Sequence, residues 1–171
     1  MNLGRNLQVT QLARNAGHMY VRWVDFSLPG SQELIIRLAE GLNMTRTSGD
    51  GTVILSQVMV PSTTDCEGAG LAHNACTNLN IAVIIHRIQF GNTGLKSSVF
   101  GSPNAALLRS DGSITVTDYL TNSSVRATGW ENVMTLDAGE IAYVSEVYVA
   151  SPSYEIGRSP DIKGVYARSI F

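Results

Sequence analysis

Apolar residues recur at three- and four-residue spacings through the first part of the chain. At about 100° per residue, Val9, Leu12, Ala13, Ala16, Met19, Tyr20, Trp23 and Val24 fall within one arc, while Gln11, Asn15, His18 and Arg22 form the opposite ridge. The pattern predicts an amphipathic helix from about Leu3 to Val24, with the apolar arc buried, Trp23 included. Pro29-Gly30 interrupts it. Ser31 can cap a second helix reaching Leu42, in which Leu34, Ile35, Leu38, Ala39 and Leu42 again repeat at three and four.

Near residue 50 the period changes. After Asp50-Gly51, a turn signal, β-formers occupy Thr52 to Val60, and Pro61 ends the run. Leu79 to Phe90 is richer still in β-branched residues and predicts a long central strand stopped by Gly91-Asn92. Residues 91–141 are punctuated by Gly and Ser and read as loops, with Asp111-Gly112 as a hairpin turn before Ile114 to Val116. Ile141 to Ala150 alternates, with Ala142, Val144, Glu146 and Tyr148 on one face and Tyr143, Ser145, Val147 and Val149 on the other. Gly164 to Phe171 forms the last strand, and Ile170-Phe171 is expected to tuck into the core or beside a neighbouring strand. The fold class is therefore α+β: an N-terminal amphipathic helix and a second short helix packed on a mainly antiparallel sheet. Residues 1–171 are expected to form a single domain, with 1–44 as a helical arm and 51–171 as a β-rich part with long loops.

Composition narrows the function classes. A chain of 171 residues, 44% hydrophobic and only 15% charged, can bury a core and is not intrinsically disordered. Twelve Lys and Arg against fourteen Asp and Glu give a net charge of −2, so no global field attracts nucleic acid. Apolar runs such as Val53 to Leu55 and Ile81 to Ile85, the latter the longest, fall far short of the roughly 20 residues that cross a bilayer.

Few residues suggest chemistry. Gly-x-Ser-x-Gly does not occur, and Gly91 to Ser97 has too few residues between its glycines for a phosphate-binding loop. His18 lies on the polar ridge between Arg14 and Arg22, and His86 interrupts a strand; neither has a carboxylate close in sequence. Glu140 and Glu146 would stand roughly 20 Å apart along a strand, too far to flank one bond. If the face bearing Glu146 is buried, its carboxylate needs a partner such as Arg87 or Arg168 on a neighbouring strand, a structural ion pair. Asp65, Cys66, His73 and Cys76 could complete a tetrahedral zinc site, but no Cys-x-x-Cys or His-x-x-x-His spacing supports one. Two cysteines with nine residues between them, in a stretch rich in Gly, Ala, Ser and Thr, suit a Cys66–Cys76 disulfide and an oxidising compartment. No cofactor, small-molecule substrate or catalytic residue is expected.

The stretch Val9-Thr10-Gln11-Leu12-Ala13-Arg14-Asn15-Ala16-Gly17-His18-Met19-Tyr20-Val21-Arg22, followed by Asp25-Phe26-Ser27, resembles the segment after the membrane helix in TadE-like minor pseudopilins of bacterial tight-adherence pilus systems. Tyr143 to Tyr148 and Val165 to Phe171 resemble that family's closing strands. The resemblance implies a pilin-like fold and an assembly role. It also implies membrane anchoring through an apolar N-terminal helix that this chain lacks, and a place at the periplasmic face of the inner membrane or in an extracellular pilus. The implied partners are other pilus or pseudopilin subunits. The natural contact surface is then the ridge of Gln11, Arg14, Asn15, His18 and Arg22. Residues 1–24 hold three arginines and no acid, which favours acidic partners. A secreted β-rich binding or adhesion module is the alternative, and a small extracytoplasmic hydrolase the third.

Overall fold

The computed structural model describes residues 3–150 and 164–171. Helix α1 spans Leu3–Val21 and α2 spans Pro29–Leu38; β1 (Gly51–Met59), the short helix α3 (Thr63–Gly68) and β2 (Val83–Gly91) follow. A loop-rich stretch carries short 3₁₀ turns and α4 (Val116–Thr121), and the chain closes with β3 (Ile141–Ala150) and β4 (Gly164–Ile170). The strands form one four-stranded antiparallel sheet in the order β2-β1-β3-β4, so the α+β class expected from the sequence is the class observed.

Four element assignments are corrected. The first helix stops at Val21, not Val24, because Trp23 takes a left-handed conformation with φ 65°. Its amide donates to the Tyr20 carbonyl at 3.1 Å and the Val24 amide to the Met19 carbonyl at 3.1 Å, the paired bonds of a Schellman ending. Pro29 begins α2 instead of interrupting the chain, since a proline in the first helical turn loses no hydrogen bond. The helix ends at Leu38, and only Ile35, Ala39 and Leu42 of the expected apolar face are buried; Leu34 and Leu38 are exposed. The strand expected to be central, Leu79 to Phe90, begins only at Val83 and lies at the end of the sheet order. Val83, Ile84 and Ile88 are nonetheless buried, and Ser113 and Arg126 bridge the outer edge of the strand at His86 and Val83. Asp111-Gly112 does turn the chain, with the Gly112 amide on the Arg109 carbonyl and the Arg109 amide on the Ser113 carbonyl, both at 2.9 Å. Ser113 then bridges β2, and Val116 opens α4 instead of ending a strand.

The chain divides into two compact units, and strands β1, β2 and β3 contribute residues to both. The first takes residues up to Leu55 together with Gln89–Lys96 and the chain from Ser145 onward. Here α1 packs along β4 and touches α2. Val9, Leu12, Ala13, Ala16 and Tyr20 are buried, as the period requires. Phe26, 1% exposed, stacks on Phe90 at 6.0 Å between ring centres and meets the Tyr20 ring edge-on at 6.4 Å. The Arg5 guanidinium donates to the Ala150 carbonyl at 2.8 Å and ties α1 to the end of β3.

The second unit comprises Ser56–Ile88 and Ser97–Val144. Cys66, Cys76 and Leu120 form one buried cluster, with Leu71, Leu79 and Tyr119 against it. Phe100 and Trp130 pack with ring centres 4.9 Å apart. Buried Asn78 fastens the loops: its Nδ2 donates to the Tyr119 and Asn122 carbonyls at 2.9 and 2.8 Å, and its Oδ1 accepts from Arg126 Nε at 2.8 Å. A buried amide with all these bonds made costs little and specifies how long loops lie without regular structure.

Candidate functional site

The outward face of α1 is built by the same period that buries its inner face. Gln11, Arg14, Asn15, His18 and Arg22 are all exposed, in one ridge opposite Leu12, Ala16 and Tyr20. The ridge is not uniformly solvated, because the ring of Phe171 lies 4.6 Å from that of His18. It reaches this position over buried Gly17, where a Cβ would collide with the Phe171 ring. Ile170-Phe171 was expected in the core or beside a neighbouring strand; instead the Phe171 ring lies on α1, 37% exposed, and borders the polar ridge.

Trp23 corrects the sequence reading most sharply. Expected in the buried arc, it is 79% exposed. A helical period holds only while the backbone is helical, and the left-handed turn at residue 23 swings the indole off the arc. Arg22 beside it is exposed, as is Leu28 a few residues on. The ridge thus ends in an arginine and an exposed indole, a combination that the periodicity concealed. The signal available in the sequence was Asp25, Ser27 and Pro29 close behind, which mark a turn: the Asp25 carboxylate accepts from the Ser27 amide at 2.9 Å and from its hydroxyl at 2.6 Å.

The cysteines are joined as expected. Cys66 and Cys76 form a disulfide with Cα atoms 6.0 Å apart, so neither offers a thiolate to zinc. The Asp65 carboxylate is taken by the Ser62 amide at 2.7 Å in the capping box that starts α3, and His73 is exposed. Among the described residues no group of three or more His, Cys, Asp and Glu is placed to hold a metal.

Glu146 is buried on β3, at 1% exposure, and accepts a hydrogen bond at 2.8 Å from the Tyr166 hydroxyl on adjacent β4. Burial pushes the Tyr166 phenol well above its ordinary range, and the Glu146 carboxylate adds to this while Arg168 opposes it. Arg168 thus shares this cluster through Tyr166, two residues away on the same strand face. Arg87 does not lie on a strand adjacent to Glu146: β1 separates β2 from β3, and the Arg87 guanidinium donates to the Gly101 carbonyl at 3.1 Å. Tyr166 is the member that sequence reasoning missed; its alternation with Arg168 on the last strand was the available sign. A buried carboxylate bonded across two strands holds β4 to β3.

An open depression of about 440 Å³ lies at the end of α2, lined by Ile36, Arg37, Ala39, Glu40, Gly41, Asn43 and Met44, with none of the sequence-predicted site residues among them. Among the described residues no helix is long and apolar enough to cross a membrane. Comparison with models of protein families, with curated proteins and with solved structures finds no match.

Proposed function

We propose that this chain is the folded part of a minor pilin-like subunit, acting through protein contacts in the assembly of a bacterial surface pilus, with no substrate and no cofactor. What supports the reading is α1: one face is buried on β4 and α2, and the other exposes Gln11, Arg14, Asn15, His18 and Arg22, followed by Trp23. A helix face that offers arginines and an exposed indole is suited to recognition. The resemblance of both chain ends to TadE-like pseudopilins agrees with this order of elements. Anchoring through an apolar helix of the kind that family carries, and a periplasmic or pilus location, belong to the same proposal; the disulfide is consistent with an oxidising compartment.

Deleting the gene in its host should abolish surface pili, and restoring it should return them; pili unchanged by the deletion would overturn the reading. The surface is tested separately. In the full-length protein, Arg14→Glu with Arg22→Glu should leave the melting temperature almost unchanged, since exposed charges contribute little to stability. Pilus formation and copurification of neighbouring subunits should fall at equal protein levels. Unchanged assembly in that double variant would remove the ridge from the mechanism.

A further inference from the structure

We infer that the outer edge of β4 is a docking surface for a second copy of this chain: two β4 strands pair antiparallel about a two-fold axis at Ala167 and join the sheets of the two copies into one. The pairing is independent of the assembly reading, since it is a property of the purified chain.

The direction of the backbone groups is the first observation. The Ala150 amide donates to the Asp50 carbonyl at 2.7 Å, so even-numbered residues of β3 turn their backbone groups to β1 and odd-numbered ones to β4. Glu146 and Tyr166 share a face of the sheet, bonded at 2.8 Å, so the odd-numbered residues of β4 complete the ladder with β3. The backbone groups of Gly164, Tyr166, Arg168 and Ile170 therefore point away from β3. Among the described residues no strand follows β4 in the sheet and no isolated bridge reaches it, whereas Ser113 and Arg126 bridge the opposite edge at β2. Edge strands are ordinarily blunted by proline, bulges or charge; β4 has no proline and one charged side chain, Arg168.

Helix α1 leaves this edge open. Gln8 donates to the Glu40 carbonyl just after α2, at 2.8 Å, while Gly17 meets the ring of Phe171 just after β4. At about 100° per residue, Gln8 and Gly17 lie on opposite sides of the helix, so α1 stands inside β4 and does not cover its outer edge. Leu3 and Leu7, both exposed, fall within about 80° of Gly17 and add apolar surface on that outer side.

The strand's own sequence selects the partner. Residues 164–170 overlap completely with a second copy only when Ala167 sits on the axis. Every outward-pointing residue then faces another one, Gly164 opposite Ile170 and Tyr166 opposite Arg168, which sets each guanidinium beside an aromatic ring of the second copy. A register centred on Arg168 would oppose two guanidinium groups, and one centred on Tyr166 would take Ile170 out of the pairing. Ala167 occupies the non-hydrogen-bonded position at the axis, where Cα atoms approach to roughly 4.5 Å and a methyl group fits. A different extended segment would use the same backbone groups, but the match of this strand to itself in length, bonding direction and charge favours a copy of the chain.

The test uses the purified chain. Sedimentation up to submillimolar concentration should show a reversible species of twice the 18.4 kDa of one chain. Ala167→Cys should cross-link into a dimer under mild oxidation, because the two Cβ atoms meet at the axis. Val165→Cys should not, because its two copies stand about 13 Å apart along the strands, beyond the roughly 7 Å between Cα atoms that a disulfide spans. Arg168→Pro deletes an outward amide and spares the ladder to β3, so it should raise the dissociation constant by about 10-fold or more with circular dichroism unchanged. If that variant unfolds, the two cysteine variants decide, since they leave every backbone group in place. A chain that stays monomeric would overturn the inference, as would no cross-link from Ala167→Cys, equal cross-linking of Val165→Cys, or an undiminished dimer in folded Arg168→Pro. Loss of pili on deleting the gene is a separate readout, so the pairing can fail while the assembly role stands.

Discussion

Phe26→Ala should lower the free energy of unfolding by about 3–5 kcal/mol, the largest effect expected from any single change considered for this protein. The ring is 1% exposed, stacked on Phe90 and touched edge-on by Tyr20, so its removal takes away apolar burial and two aromatic contacts together. It also opens a cavity where α1 and α2 are joined, and helix termini on either side limit how far the backbone can collapse into it. Domains of this size are stable by roughly 5–15 kcal/mol, so the variant should show a clearly lowered urea midpoint with little change in slope. A loss below about 1 kcal/mol would mean that the ring is not enclosed as described.

Replacing both cysteines, Cys66→Ser with Cys76→Ser, should cost about 3 kcal/mol. Closing a loop this short restricts the unfolded chain by about that amount, and the bonded sulfurs also belong to the buried cluster with Leu120, where hydroxyls would be left to find partners. The loss should appear in the unfolding of the purified protein, and a reducing agent should reproduce much of it in the parent. Mass spectrometry after thiol alkylation should find no free cysteine in the untreated chain, and a zinc chelator should leave stability unchanged. Free thiols, or a chelator effect, would overturn the disulfide assignment.

How far these features were legible follows from the range of the forces behind them. The α1 partition was readable because it depends on a local period: Leu12, Ala16 and Tyr20 inward, Gln11, Arg14, Asn15, His18 and Arg22 outward. Strand β3 was readable to the residue, from Ile141 to Ala150, because its alternation is long and uninterrupted. The cysteine pairing was legible from spacing alone. Trp23 was not, because one left-handed residue ended the period, and Trp is seldom the residue that does so. Helix α3 escaped notice because six residues carry no period, although Ser62 and Asp65 spelled out its cap.

Local sequence determined where α1, α2 and the four strands lie to within a few residues, which face of α1 is polar and that its charge is basic. Tertiary structure alone decided which strands neighbour one another, and hence that Glu146 meets Tyr166 on β4 while Arg87 lies beyond β1. It also decided that the Phe171 ring settles over Gly17 beside His18. These depend on residues distant in the chain arriving at one place, and no pattern in a window of a dozen residues carries that information. The exposure of Trp23 stands between the two: a local backbone turn set it, but the turn became legible only once the hydrogen bonds to Met19 and Tyr20 were seen to close around it.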